Sequence, residues 1–327
     1  MLKPNQPVRL LSQNDVKSLG LSFEEFIALV EQAYILDARG LAEVPSKIGV
    51  HPDFPNSFMH AMPAWVGETR ALGMKWVSYY PGNFERGLAD STAVITLNDP
   101  DHGHVVAFME ALYITFLRTA ACATVAAKHL LKSAPRTLTL VGCGGLGLWT
   151  LRLMNAAFPT LTTTYVSSKT SASRNKFCQE MSVEVGHDVV PVDDLADALS
   201  RSDIVVSSLP PSEERPVVGG LMPPGSVYIP LDISHAWEDS VITEASAVIS
   251  DNPTYFADMI KNKRPGIRVP EVLSLQETVA GRNRKEDAAH GTVVVGVAGI
   301  ASTDVVIGWE LYRRAVDRNV GTLFQMV

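Results

Sequence analysis

The sequence predicts an α/β protein in which a doubly wound parallel sheet domain is combined with a discontinuous α+β domain built on antiparallel strands. Three observations point there. After Pro135, apolar or β-branched runs alternate with helical or polar intervals, the rhythm of a parallel sheet. Between residues 57 and 110 the runs are separated by turn residues instead, the rhythm of a meander. A last helix, over residues 302–318, carries apolar residues that would have to pack back on the first domain. The expected boundaries are 1–132 with 300–327 for that domain, and 133–299 for the parallel-sheet domain. A chain of 327 residues, 46% hydrophobic and 19% charged, is long enough to fill two cores.

Element by element, Ser22 and Glu25 form a capping box, and Phe23, Phe26, Ile27, Val30 and Tyr34 recur at helical spacing up to Gly40. Strands are expected over 57–65, 72–80, 92–98 and 104–110, the last two joined as a hairpin by the turn-rich residues 99–103. An Ala-rich helix over 117–131 leads into Ser133-Ala134-Pro135, a domain junction. The parallel strands are expected over 137–141, 161–167, 188–192, 204–209, 226–231, 247–250 and 292–298.

Composition removes several classes of function. The longest apolar stretches, such as 291–300, fall short of the roughly 20 residues that span a bilayer, so no membrane is expected as a partner. Residues 1–9 hold no apolar block of the kind that marks export, and the cytoplasm is the expected location. Cys122, Cys143 and Cys178 are widely spaced without a CxxC pair, which argues against a disulfide framework and a structural zinc. A net charge of -7 without a Lys or Arg block argues against nucleic acid. His51, His60, His102, His104, His129, His187 and His290 show no metal-ligand spacing, so no metal is expected.

The strand ending at Val141 runs into Gly142-Cys143-Gly144-Gly145-Leu146-Gly147 and then a helix, a GxGxxG motif in the setting of a Rossmann-type dinucleotide domain. Gly142 permits the tight turn, Gly144 lets backbone approach a pyrophosphate, and Gly147 lets the helix pack closely on the strand. The end of the second strand reads Ser167-Ser168-Lys169-Thr170-Ser171 with Arg174 beyond, and residues 148–179 contain no acid. Hydroxyls and cations there suit a 2′-phosphate, so NADP(H) is favoured and NAD(H) is the alternative. Ser207, Ser208 and Leu209 end a further strand and are expected beside the nicotinamide.

Two cations stand out in the first domain. With Thr115 as N-cap, Arg118 would lie in the first helical turn, where the dipole disfavours a cation unless an anion is near. Lys75 sits mid-strand among residues that look buried, and such a lysine needs a partner or a lowered pKa.

These residues belong to an ordered series. Met62-Pro63-Ala64, Leu72 to Ser78 with Tyr80-Pro81-Gly82-Asn83, Arg86-Gly87-Leu88, Leu117-Arg118-Thr119-Ala120-Ala121 with Ala126 to Leu130, the glycine loop, Val279-Ala280-Gly281-Arg282 and Gly299 to Asp304 together resemble the ornithine cyclodeaminase/mu-crystallin family. The resemblance implies a homodimer whose first domain supplies the subunit contact and the pocket for a small amino or imino acid. Lys75 and Arg118 match positions that hold the substrate carboxylate, Asp304 matches an acid near the pocket, and Thr92 and Thr119 fall in segments resembling cofactor contacts. At two points the chain departs from the cyclodeaminase pattern. Lys47 stands nearest a third, usually arginine, carboxylate-binding position, and His235 stands where the catalytic acid is found, with Asp232 three residues earlier.

The expected function is an NAD(P)(H)-dependent oxidoreductase acting on the C–N bond of a small amino or imino acid, as an imine or ketimine reductase or an amino-acid dehydrogenase. A cationic clamp of Arg118, Lys75 and Lys47 would orient the α-carbon toward the nicotinamide. His235, Asp232 and Lys75 are the candidates for catalysis, with His235 or Lys75 moving the proton at nitrogen. The alternatives are an ornithine or lysine cyclodeaminase using bound NAD, a hydroxyproline dehydratase, and a non-catalytic crystallin-like NADP(H)-binding protein. His51, Phe58, His60 and Trp237 are the expected pocket walls.

Overall fold

The structure, a computed structural model, describes residues 7–210, 215–233, 236–283 and 291–326. The chain divides into two compact units, Met1–Arg118 with Ile300–Val327 and Thr119–Gly299. The division falls inside the helix Leu112–Leu130, which starts five residues before the predicted Ala-rich segment.

In the first unit, strands run across one sheet in the order Thr322–Phe324, Val8–Leu11, Val105–Glu110, Ser91–Asn98, Ala71–Tyr79, Phe58–Val66 and Ala42–Glu43, with Ile48–Val50 also on Phe58–Val66. Only the pairing of Val8–Leu11 with Val105–Glu110 is parallel. The helix Phe23–Ala38 starts on the predicted capping box, in which Ser22 Oγ accepts from the Glu25 backbone N–H and the Glu25 carboxylate accepts from that of Ser22. The helix Ala301–Asp317 has Ile300 as its N-cap, two residues before the predicted Ser302. Its Gly308 is small enough to seat the helix on the sheet, since a Cβ there would lie 3.2 Å from Ile95 Cγ2.

The second unit is a sheet of eight parallel strands, in the order Asp188–Pro191, Thr163–Ser167, Thr137–Val141, Ile204–Ser207, Val227–Pro230, Val293–Gly296, Ala247–Ser250 and Val272–Ser274. Chain order reverses direction at Thr137–Val141, with the next two strands on one side and the fourth on the other. Such a switch point opens a crevice at the carboxyl ends of the strands. Tyr228, Trp237, Phe256 and Val294 fill the core on one face. Among the described residues, no helix is long and apolar enough to cross a membrane.

Candidate functional site

Side chains alternate across a strand, so Lys75, Val77 and Tyr79 share one face of the first sheet, opposite Met62, His60 and Phe58 on one neighbour and Ile95, Ala93 and Ser91 on the other. Gly308 approaches Ile95 on this face, and Asp304 lies one helical turn earlier on the same side of the helix. That register delivers the carboxylate to the lysine. Lys75 Nζ donates to Asp304 Oδ1 at 2.9 Å and to Oδ2 at 2.8 Å, and Arg118 Nε donates to Oδ1 at 3.0 Å. Lys75 and Asp304 are both 0% exposed.

The environment changes the chemistry of the lysine. Burial, and then the Arg118 charge, bring the Lys75 pKa down to about 7, against the opposing pull of Asp304. Lys47 and Lys75 each act electrostatically on His60, whose pKa burial, Lys47 and His51 hold down at about 4. His60 stacks on Phe58 with ring centroids 4.3 Å apart, while His51 meets it edge-on at 6.1 Å. Lys47, His51, Phe58 and His60 therefore gather on the Lys75 side of the sheet.

Two expectations about this unit change. Thr115 is not the N-cap of the Arg118 helix. The helix begins at Leu112, whose N–H donates to Glu110 Oε1, while the Thr115 hydroxyl donates back to the Ala111 carbonyl. Arg118 thus lies beyond the first turn, and the anion beside it is Asp304. Thr92 faces away from Lys75, on the other face of the sheet, where its hydroxyl is hydrogen-bonded to Ser78 at 2.9 Å. Thr119 is half-buried in the helix that follows Arg118.

In the second unit two glycines of the loop, Gly142 and Gly147, are required by close approaches. Gly142 has φ +114°, and a Cβ on it would lie 2.9 Å from the Ser208 carbonyl oxygen. A Cβ on Gly147 would lie 2.3 Å from the Gly142 carbonyl oxygen, so only glycine lets the helix Gly145–Ala157 come so close to the strand. A Cβ on Gly144 would meet nothing within 4 Å. Gly144 is the N-cap of that helix and no side chain caps it. The helix therefore opens, between Gly144, Gly145 and Leu146, on a bare cradle of backbone N–H groups, which fits a dinucleotide's pyrophosphate.

Around the cradle, Ser167 ends its strand and its carbonyl accepts from Gly142 N at 2.8 Å, while Lys169 is exposed. Ser168 Oγ donates to the Thr170 carbonyl. Arg174 does not project as a free cation: it is buried, donates to the Ser168 carbonyl at 3.2 Å and pairs with Asp193. Its position in a helix and its distant partner were not readable together from sequence. The Ser207 hydroxyl is hydrogen-bonded to the buried Tyr228 hydroxyl at 2.8 Å, and Asp232 Oδ2 accepts from Leu209 N at 3.0 Å. Tyr228 escaped the sequence reading because a tyrosine in an apolar strand reads as core. His235 lies outside the described residues. Trp237 is not a pocket wall: it is 0% exposed, donates to the Ile233 carbonyl at 3.0 Å and carries Arg264 over its ring at 3.8 Å.

Comparison with known proteins agrees with this anatomy. The profile of the ornithine cyclodeaminase/mu-crystallin family matches residues 8–230. Among curated proteins, the nodulation efficiency protein NfeD of Rhizobium meliloti is 30% identical over 97% of this chain and 98% of its own length. The alanine dehydrogenase of Archaeoglobus fulgidus is 27% identical over 96% and 97% respectively. Among solved structures, the Thermococcus litoralis Δ1-pyrroline-2-carboxylate reductase in complex with NADH and L-proline superposes with a TM-score of 0.86 at 25% identity, covering 96% of this chain and 99% of its own.

Proposed function

Because the chain belongs to the ornithine cyclodeaminase/mu-crystallin family, we propose that it is an NADP(H)-preferring oxidoreductase that interconverts a small α-imino acid and the corresponding amino acid. The observation that carries this reading is the buried grouping of Lys75, Asp304 and Arg118, joined by hydrogen bonds of 2.8 to 3.0 Å. A buried lysine and arginine held by one carboxylate form a rigid cationic wall, suited to gripping a substrate carboxylate, with Lys47 adding to the same field. The relatives' names accord with it: one is an alanine dehydrogenase and another reduces an imino acid.

The residues divide the work. Arg118 presents a guanidinium that stays charged and fixes the carboxylate in a plane. Lys75, with a pKa of about 7, can hand a proton to an imine nitrogen and take it back in the reverse direction. Asp304 keeps both cations aimed and is a positioning residue for Lys75. The Gly144–Gly145–Leu146 backbone would hold the pyrophosphate, and Ser167, Ser168 and Lys169 would meet the 2′-phosphate, with Arg174 bound to the Ser168 carbonyl and to Asp193. The dinucleotide, when bound, would supply or accept the hydride at the α-carbon. Ser207, Ser208 and Leu209, with Ser207 bonded to Tyr228 and Leu209 to Asp232, form the strand end that would face the nicotinamide.

The face of the first sheet opposite Lys75 exposes Trp76 (39%) and Phe108 (44%), and we read it as the contact between two copies in a homodimer. The test of the activity is direct. Purified protein is given NADPH or NADH with a panel of cyclic imino acids and of 2-oxo acids with amines, and the reduced cofactor's absorbance is followed. Consumption with NADPH preferred, abolished by Arg118→Met, is the expected result. No consumption with any member of the panel, alongside demonstrated dinucleotide binding, would remove the reading.

A further inference from the structure

Two histidines and an aspartate meet in the turn of one hairpin of the first sheet. The strands Ser91–Asn98 and Val105–Glu110 are joined by Asp99-Pro100-Asp101-His102-Gly103-His104. Asp99 Oδ1 accepts from the backbone N–H of Asp101 at 2.8 Å and of His102 at 2.9 Å, which folds the turn around its carboxylate. Gly103, at φ +77°, reverses the chain so that His104 returns beside Asp99, the Asp99 N–H donating to the His104 carbonyl at 2.8 Å. One ligand atom each from Asp99, His102 and His104 then lies within 4.8 Å of the others.

A second observation separates this from a merely polar turn. His104 Nε2 is shielded from solvent and has no hydrogen-bond partner among the described residues. A ring nitrogen shielded from water and left without a partner is unfavourable, and an electron-pair acceptor at the turn relieves it. His102 is exposed and its ring can swing, whereas Asp99 is fixed by the turn.

We propose that Asp99, His102 and His104 bind a divalent transition-metal ion of the zinc class at the tip of this hairpin. Two imidazoles and one carboxylate suit zinc-like ions, while calcium and magnesium take oxygen donors. Three protein ligands leave room for water. Donors sit about 2.0–2.1 Å from zinc, so the side chains would move closer together on binding, from a start in which His102 Nδ1 already lies 3.2 Å from Asp99 Oδ1. The ion would clamp the hairpin, well separated in sequence from the glycine loop, and the reading is independent of the proposed reaction.

The test uses the full chain, stripped with chelator and titrated calorimetrically with zinc chloride, alongside Asp99→Asn, His102→Ala and His104→Ala. Asp99→Asn keeps an oxygen to accept the turn's N–H groups, and His102 is exposed, so both variants are expected to fold. Cobalt substitution supplies a second readout, an absorption band of the metal coordinated by imidazole. One zinc per chain, weakened more than about tenfold in each variant, is the expected outcome. Absence of stoichiometric binding, or binding unchanged in the variants because His51 and His60 hold the ion, overturns the proposal.

Discussion

Replacing Asp304 with Asn leaves two cations facing one another where a carboxylate held both. In the wild-type protein Lys75 Nζ and Arg118 Nε donate to Asp304 at 2.8 to 3.0 Å, with side-chain exposures of 1%, 9% and 0% for Lys75, Arg118 and Asp304. Removing one partner of a buried ion pair costs about 3–5 kcal/mol. Lys75 can limit that cost by giving up its proton, because its pKa is already about 7. In the wild type the folded value lies below the unfolded value of 10.5, so between these limits the unfolded chain binds the extra proton. Lys75 therefore adds stability at about 1.4 kcal/mol per pH unit as the pH rises through that window, and adds no slope below it. Asp304 is what raises the lysine's pKa, so in Asp304→Asn the lower limit of the window moves below about 7. The variant's deficit should be largest near pH 6 and shrink by up to about 1.4 kcal/mol by pH 7. Urea unfolding followed by tryptophan fluorescence at pH 6, 7 and 8 measures it. A deficit that is the same at all three pH values would refute the idea that Lys75 gives way, and no deficit at all would refute the buried pairing.

Three further outcomes are expected. Gly144→Ala should change stability by less than about 0.5 kcal/mol, since its Cβ meets nothing within 4 Å, yet weaken NADPH binding measured by fluorescence titration. Gly147→Ala, whose Cβ would sit 2.3 Å from a backbone oxygen, should lose both stability and binding, and equal behaviour of the two variants would contradict the cradle. Ser168→Asp should raise the Michaelis constant for NADPH and leave that for NADH nearly unchanged, which steady-state kinetics will read. Trp237→Ala should lower stability by about 3–5 kcal/mol in thermal or urea unfolding, as expected of a core tryptophan; a variant of wild-type stability would restore it as a pocket wall.

The legible parts of this sequence were those where a single local pattern decides the outcome. The strand Thr137–Val141 and the glycine loop announce themselves because strand, turn and helix follow within a dozen residues. Ser22 and Glu25 mark their helix for the same reason. Lys75 was readable as a buried lysine, but its partner was only one of several acids in the chain, 229 residues away, and a register between helix and strand selects it. Arg174 shows the reverse failure: its charge was visible and its engagement by Asp193 was not, since that depends on the return of a separate loop. The strands Val8–Leu11 and Thr322–Phe324 were missed because runs of four and three residues are too short to show an alternation, the first being largely buried between two neighbours and the second exposed at the sheet edge. The closeness of Asp99, His102 and His104 depends on the hairpin turn, which folds residues 99–104 around the Asp99 carboxylate, a geometry that sequence spacing does not show.

The return of the C-terminal segment to the first unit has a consequence for how the molecule is made. Ribosomes add about 5–20 residues per second, so roughly ten to fifty seconds separate the emergence of Lys75 from that of Asp304. During that interval the meander has a lysine to bury and no counter-ion to bury it with, and Arg9 waits longer still for the Val320 carbonyl that it will grip. The parallel-sheet unit, contiguous from Thr119 to Gly299, is free to fold meanwhile. Assembly of the first unit thus waits for residues 300–327, and a chain cut short before residue 300 would hold a complete glycine loop but a meander that cannot close.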